Sequence, residues 1–256
     1  MTRFNHLLYG ILLLYMSPLL AEPLRVGVSF AIPPYVIQEQ GRGIELDLLT
    51  TAFAGSGYEP RFIYLPLERT FRMLAEGKLD AVINVRPGML TRVHLSQPVI
   101  TFYNRVFTLD EVSVRTLSDL TTLRVSAFQR AQQILGEEFA RISTRNARYE
   151  EVARQESQVQ KLLLGRTDAV ILEQRVFYYY LAQLNRDRRN QGLYHPGRVR
   201  QHDLFPPTHY HFAFREAAQQ QWFDRQLARM REDGRYARIF ATYGASPNAE
   251  NIKASP

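Results

Sequence analysis

Cysteine is absent from all 256 residues. Its absence rules out disulfides, thiolate metal ligands, a cysteine nucleophile and a lipoprotein's lipid anchor. HExxH, P-loop and GxSxG motifs are missing too, so nothing marks a zinc protease, a P-loop NTPase or an α/β-hydrolase. After the N-terminal segment no run is apolar enough to span a bilayer. The net charge is +7, yet no nucleic-acid motif accompanies it. Two arginine clusters, NRDRRN (185–190) and GRVRQH (197–202), read as solvated loops. An anionic surface or an anionic small ligand remains as the partner of that charge.

What is present is apolar: 45% of residues are hydrophobic and 12% aromatic, which suits a core built without cross-links. The first residues, MTRFNHLLYGILLLYMSPLLA, place Arg3 before an apolar run and Ala21 ahead of EPLRV. That layout is a secretory signal peptide over 1–21, cut near Ala21, and it implies a periplasmic protein. Ser17 and Pro18 interrupt the run, which speaks against a membrane anchor. About 235 residues remain, room for one large domain or two of ordinary size.

Two phrases recur. LRV stands at 24–26 and again at 123–125, and LAEGKLDAVI (74–83) is echoed by LLLGRTDAVI (162–171). In each echo a helix end meets a Gly suited to a left-handed cap, and Asp-Ala-Val-Ile then opens a buried strand. The preceding helices carry apolar stripes at Leu67, Phe71 and Leu74, and at Val159, Leu162 and Leu163. Each copy therefore reads strand, helix, helix, strand, an α/β unit with a mainly parallel sheet flanked by helices. HFAFR (211–215) predicts one more strand, followed by a helix striped with Phe223, Leu227 and Met230 and a shorter one in DGRYARIFATYG. These need a host sheet, and the first lobe supplies one. The chain then crosses between lobes twice, near TFYNR (101–105) and PPTHY (206–210), making two hinge segments and a cleft. Lobe 1 is expected over 22–101 and 209–256, and lobe 2 over 102–208. Ligands of such sheets sit beyond the carboxyl ends of the strands.

That rule selects candidates. In FAIPPYVIQEQGRGIELDLL (30–49), Phe30 and Tyr35 flank a stiff proline pair and could form an aromatic wall or plug the core. PLERTF puts Glu68 and Arg69 at a strand-to-helix turn. Asn84, Arg86 and Arg92 follow the strand DAVINV, where an Arg can grip a carboxylate with two parallel hydrogen bonds. SAFQRA sets Phe128, Gln129 and Arg130 at a helix start, which favours anions. Glu173, after the second DAVI, serves a ligand, stays solvated or makes a lobe-closing ion pair. His209 and His211 share a strand face without a third ligand, so no metal is expected. FYYYL (177–181) reads as helix packing.

The ordered set LRVGV, PPY, GIELDL, GKLDAVINV, Arg92, LSQP, LSDL, LRVSAFQ, GRTDAVILE and MREDGRYARIFATYG resembles the extracellular solute-binding proteins of family 3. The likeness covers nearly all of the mature chain. It implies a two-lobed periplasmic-binding-protein fold closing over a small polar, amino-acid-like ligand, anionic or zwitterionic, for an inner-membrane ABC permease. It also implies a monomer without catalysis or cofactor. Departures accompany it. Phe128-Gln129-Arg130-Ala131 stands where the family usually has a Gly-Ser/Thr turn holding the ligand carboxylate. Ser29 occupies a position that commonly carries an acidic or polar contact, and Arg92 lies closer to LSQP than usual. Glu173 replaces the Asp that takes a ligand ammonium. Two other roles use the same fold: a receptor presenting ligand to a membrane sensor in trans, and a dehydratase of the cyclohexadienyl type with Glu173 as general acid.

Overall fold

The computed structural model describes residues 21–29, 31–187 and 199–248. The expected leader up to residue 20, the candidate Phe30 and the segment 188–198, which holds parts of both arginine clusters, lie outside the described residues. The chain runs β1 (Glu22–Val28), α1 (Ile44–Phe53), β2 (Tyr58–Tyr64), α2 (Leu67–Ala75), β3 (Ala81–Val85), β4 (His94–Leu95) and β5 (Ile100–Phe102). It continues through β6 (Asn104–Leu109), β7 (Val125–Phe128), α3 (Ala131–Ile134), α4 (Glu137–Arg145), β8 (Tyr149–Val152), α5 (Gln155–Leu163), β9 (Ala169–Glu173) and α6 (Gln174–Arg186). The last elements are β10 (Val199–His202), β11 (Thr208–Phe214), α7 (Ala217–Glu232) and α8 (Arg235–Thr242).

Two sheets result. One has the order β2-β1-β3-β11-β4, with β5 also paired to β11; the other runs β10-β6-β9-β7-β8. Within each, the three βα-linked strands are parallel and the returning strands antiparallel. The chain passes from the first sheet to the second between Phe102 and Asn104, and returns between His202 and Thr208.

The expected order of strand, helix, helix, strand is corrected in both copies, because a strand separates the helices. β2 and β8 are edge strands, half exposed along their length. β2 even carries Pro60, which an edge tolerates. Neither YEPRFIY nor YEEV has the continuous apolar run that marks a central strand, and that is why the pattern hides them.

The echoed phrases share one physical device. The Asp80 carboxylate accepts the Arg25 backbone N–H (2.9 Å), Nε (2.9 Å) and Nη2 (2.8 Å). In the second lobe the Asp168 carboxylate accepts the Arg124 backbone N–H (2.7 Å) and Nε (3.1 Å). Each aspartate N–H donates back to the same arginine's carbonyl, at 2.8 and 2.9 Å. The Arg of LRV and the Asp of DAVI thus lock the first and last parallel strands of each lobe. Hydrogen bonds from Arg124 hold Asp168 below the ordinary carboxylate range.

Apolar residues cover the sheets on both faces. In lobe 2, Val106, Val125, Ala127 and Ile171 pack one way, while Phe107, Val170 and Leu172 pack the other. Phe107 and Phe177 stack there with centroids 3.7 Å apart. In lobe 1, Phe53, Phe212, Phe214 and Phe223 form the centre. Val176, at the start of α6, belongs to this lobe 1 cluster although its helix grows out of the second sheet. Among the described residues no helix is long and apolar enough to cross a membrane.

The proline turn is compact, with a cis Pro33–Pro34 bond, and Tyr35 behind it is fully buried. Gly43, at φ +145°, brings α1 against that turn; an added Cβ would lie 2.2 Å from the Tyr35 carbonyl oxygen. Gly43→Ala is therefore expected to lower stability by about 2–4 kcal/mol, from backbone strain and overpacking together. Asp168→Asn, which breaks the strand lock, should cost about 1–3 kcal/mol. Urea unfolding of each variant measures both.

Candidate functional site

The carboxyl ends of the first-lobe strands form a row. Val28 pairs with Tyr64, and the register of Gly27 opposite Val82 sets Ser29 level with Asn84. His211 pairs with Val85, so Tyr210 of β11 stands next along the row, near Arg86. Three members present buried polar atoms without a hydrogen-bond partner: Ser29 Oγ, Tyr64 Oη and Asn84 Oδ1. Buried polar atoms are nearly always partnered, and three without a partner at neighbouring strand ends make this row the candidate site.

Arg86 is half-buried at the end of β3. Its backbone N–H donates to the Met89 sulfur (3.3 Å), and its guanidinium forms no ion pair among the described residues. Its charge acts on Tyr210, whose phenol burial pushes up and Arg86 pulls back. Arg69, on the exposed first turn of α2 beside exposed Glu68, also lacks an ion pair among the described residues. So does Arg92, exposed in the turn before β4 at φ +58°. Asn84 and Arg86 thus share the carboxyl end of β3, while Glu68, Arg69 and Arg92 are exposed on neighbouring turns.

Beneath the row lies Glu45, in the first turn of α1 and 0% exposed. Asn84 Nδ2 donates to one carboxyl oxygen (2.9 Å), and the other has no partner. Asn84 itself sits at φ +60°, in the left-handed region, which turns its amide toward α1. Burial pushes the Glu45 carboxyl up to about 8, opposed only by the bond from Asn84. The carboxyl therefore keeps its proton to a higher pH than an exposed glutamate does.

The second lobe differs, because its charges are already used. Arg130, the expected helix start, is exposed at φ +70°, and its Nε donates to Gln133 (2.9 Å). The backbone N–H groups of Arg130 and Gln132 donate to the two oxygens of Glu151, at 2.6 and 3.0 Å. The anion-binding turn is thus filled by the chain's own carboxylate from β8. Gln129 is exposed, and Phe128 is half-buried against both lobe 2 clusters.

Glu173 is 5% exposed and caps α6, accepting from the backbone N–H groups of Arg175 (2.7 Å) and Val176 (3.1 Å). The Tyr103 N–H (3.3 Å) and Arg175 Nη1 (3.1 Å) fill its other oxygen. Arg175 is 2% exposed. It also donates to the Tyr35 hydroxyl (3.0 Å), the Thr101 carbonyl (2.9 Å) and the carbonyls of Ser246 (2.7 Å) and Pro247 (2.6 Å). Tyr35 is accordingly enclosed, its ring 4.6 Å from that of Phe102 and its hydroxyl on Arg175, and burial raises its phenol well above the ordinary value. A cavity of about 370 Å³ lies between α6 and lobe 1, lined by Arg42, Tyr178, Tyr179, Arg186 and Tyr243, with Arg175 in its wall. His209 and His211 bond separately, to Thr101 Oγ1 (3.0 Å) and the Ser96 carbonyl (2.7 Å).

Sequence reasoning missed Tyr64 because it missed β2, and missed Glu151 with β8. Arg175 carried a readable signal: a charged side chain two residues past Glu173, on a helix whose next residues are Val and Phe.

Buried Glu45 makes a pH prediction. Its unfolded value is ~4.3 and its folded value about 8, so the folded state holds an extra proton between them. Stability is full below the unfolded value, falls as pH rises, and levels off above the folded one. Glu45→Gln should flatten this slope, with a higher urea midpoint than the wild type at pH 8. Parallel slopes for the two proteins between pH 5 and 8 would refute it.

No curated protein matches the chain. Among solved structures it is similar to the GluR0 ligand-binding core in complex with L-glutamate, at TM-score 0.67 and 18% identity, over 87% of this chain and 98% of that one. It is similar to an ancestral cationic amino acid solute-binding protein at TM-score 0.67 and 19% identity, over 88% and 96% of the two chains. A histidine kinase sensor domain with similarity to periplasmic binding proteins matches at TM-score 0.63 and 18% identity, over 89% and 99%. These likenesses show a shared two-lobed fold. The model of the bacterial extracellular solute-binding proteins, family 3, matches residues 24–246. From the strand that opens lobe 1 to the tail that reaches Arg175, the chain belongs to that family.

Proposed function

We propose that the protein is exported to the periplasm, captures a small carboxylate-bearing anion between its lobes, and delivers it to an inner-membrane ABC permease. The observation that carries this reading is the lobe 1 row. Unpartnered hydroxyls of Ser29 and Tyr64 lie at the carboxyl ends of β1 and β2, and Arg86, a half-buried guanidinium without an ion pair among the described residues, follows the neighbouring β3. Hydroxyl and guanidinium donors at neighbouring strand ends suit a carboxylate, and the guanidinium can hold it with two parallel bonds. Arg69 and Arg92 on the rim add to the positive field that draws an anion in. A zwitterion fits less well. The second-lobe acid Glu173 is already saturated, and the helix-start amides already hold Glu151.

Ligand in the row would shift the lobes toward closure only through its greater affinity for the closed form. The likeness to a histidine kinase sensor domain favours a second reading, in which the closed form is presented to a membrane sensor in trans. Both are binding functions without turnover. An ancestral neighbour described as a precursor of cyclohexadienyl dehydratase makes a prephenate and arogenate turnover assay the check on that point.

A thermal-shift screen of dicarboxylates, amino acids and amines tests the ligand class. A dicarboxylate at 100-fold its dissociation constant should stabilise by about 2.7 kcal/mol. Arg86→Gln should abolish that response while leaving the ligand-free melting temperature near the wild-type value. Stabilisation by amines alone, or an undiminished dicarboxylate response in Arg86→Gln, would contradict the reading.

A further inference from the structure

We infer that Arg175 is a specificity-determining residue: a built-in cation that occupies Glu173 and makes the protein blind to amine and guanidine ligands. The inference rests on the reading that ligands enter between the lobes, and it assigns to this one side chain the exclusion of a whole class. Glu173 stands at the carboxyl end of β9, where an acid would meet a cationic ligand, and every direction of its carboxylate is taken. Three of those partners are backbone N–H groups that any residue could supply. The fourth is the Arg175 guanidinium, the only charged one.

The geometry around that guanidinium is a ready receptor for a guanidine. Tyr35 Oη and the carbonyls of Thr101, Ser246 and Pro247 accept from it alongside Glu173, so five acceptors from both lobes and the C-terminal tail converge on one planar cation. Tyr103 and Phe240 present their rings to it, each 5.3 Å from the guanidinium carbon. Acceptors and rings together are what a free guanidinium ligand would need. The neighbouring cavity of about 370 Å³ touches Arg175, so cutting the side chain back would join that cavity to the acceptors and open a route from solvent.

Arg175→Ala should therefore convert the self-filled position into a cation site. The probe is methylguanidinium chloride, compared with tetramethylammonium chloride (which has no N–H donors) at equal ionic strength. Methylguanidinium well above its dissociation constant should raise the melting temperature of Arg175→Ala by about 2–4 °C. The wild type and the double variant Arg175→Ala/Glu173→Gln should not respond, and tetramethylammonium should act on none of them. A merely structural role for Arg175 predicts a destabilised variant without this rescue. If Arg175→Ala does not fold alone, folding in the presence of methylguanidinium supports the inference and failure to fold overturns it. An equal response in wild type and variant, or none in either, also overturns it. Neither result touches the carboxylate response of Arg86, so the two readings fail separately.

Discussion

A guanidinium with almost no exposure joins three parts of this molecule. Arg175 grows from the first turn of a lobe 2 helix, reaches Tyr35 and Thr101 of lobe 1, and holds the carbonyls of Ser246 and Pro247 in the tail. A cation so buried is tolerable only because its donors are met and Glu173 supplies the counter-charge. Removing one partner of such a pair typically costs about 3–5 kcal/mol, which is comparable with much of a domain's net stability. The proline turn, the crossing segment and the last described residues are all arranged around this one group. Tyr35 is enclosed for the same reason: its ring completes the lobe 1 core while its hydroxyl serves Arg175.

The consequence for function is an asymmetry between lobes. Lobe 2 satisfies its own charges, Glu151 on the helix-start amides and Glu173 on Arg175. Lobe 1 leaves groups unsatisfied at neighbouring strand ends: the hydroxyls of Ser29 and Tyr64, the Asn84 amide oxygen, and the Arg86 guanidinium, which has no ion pair among the described residues. The proposed recognition is concentrated on lobe 1, because the two lobe 2 carboxylates at the strand and helix ends, Glu151 and Glu173, are already paired. That differs from a zwitterion receptor, which divides a carboxylate and an ammonium between oppositely charged groups.

Much of this was legible in the residues. The recurrence of LRV and GxxDAVI points to two α/β units, and the structure gives it a cause in the Arg25–Asp80 and Arg124–Asp168 locks. Buried central strands announce themselves by continuous apolar runs. Edge strands such as YEPRFIY do not, and with them went Tyr64 and Glu151. The placement of Glu173 at a strand end was readable, but its saturation was not. Whether an acid faces ligand or neighbour depends on contacts between residues far apart in sequence, here Glu173 with Tyr103 and Arg175 with Tyr35. The burial of Glu45 against Asn84 became visible only in three dimensions.

The most direct test of the account is to identify what the protein carries. Native mass spectrometry of protein isolated from cells, followed by acid release of the bound molecule, reads its mass and charge class without a prior guess. A small organic acid without a cationic nitrogen is the predicted cargo. A basic amino acid or amine held by the wild-type protein would contradict the claim that Arg175 and Glu173 have closed lobe 2 to cations.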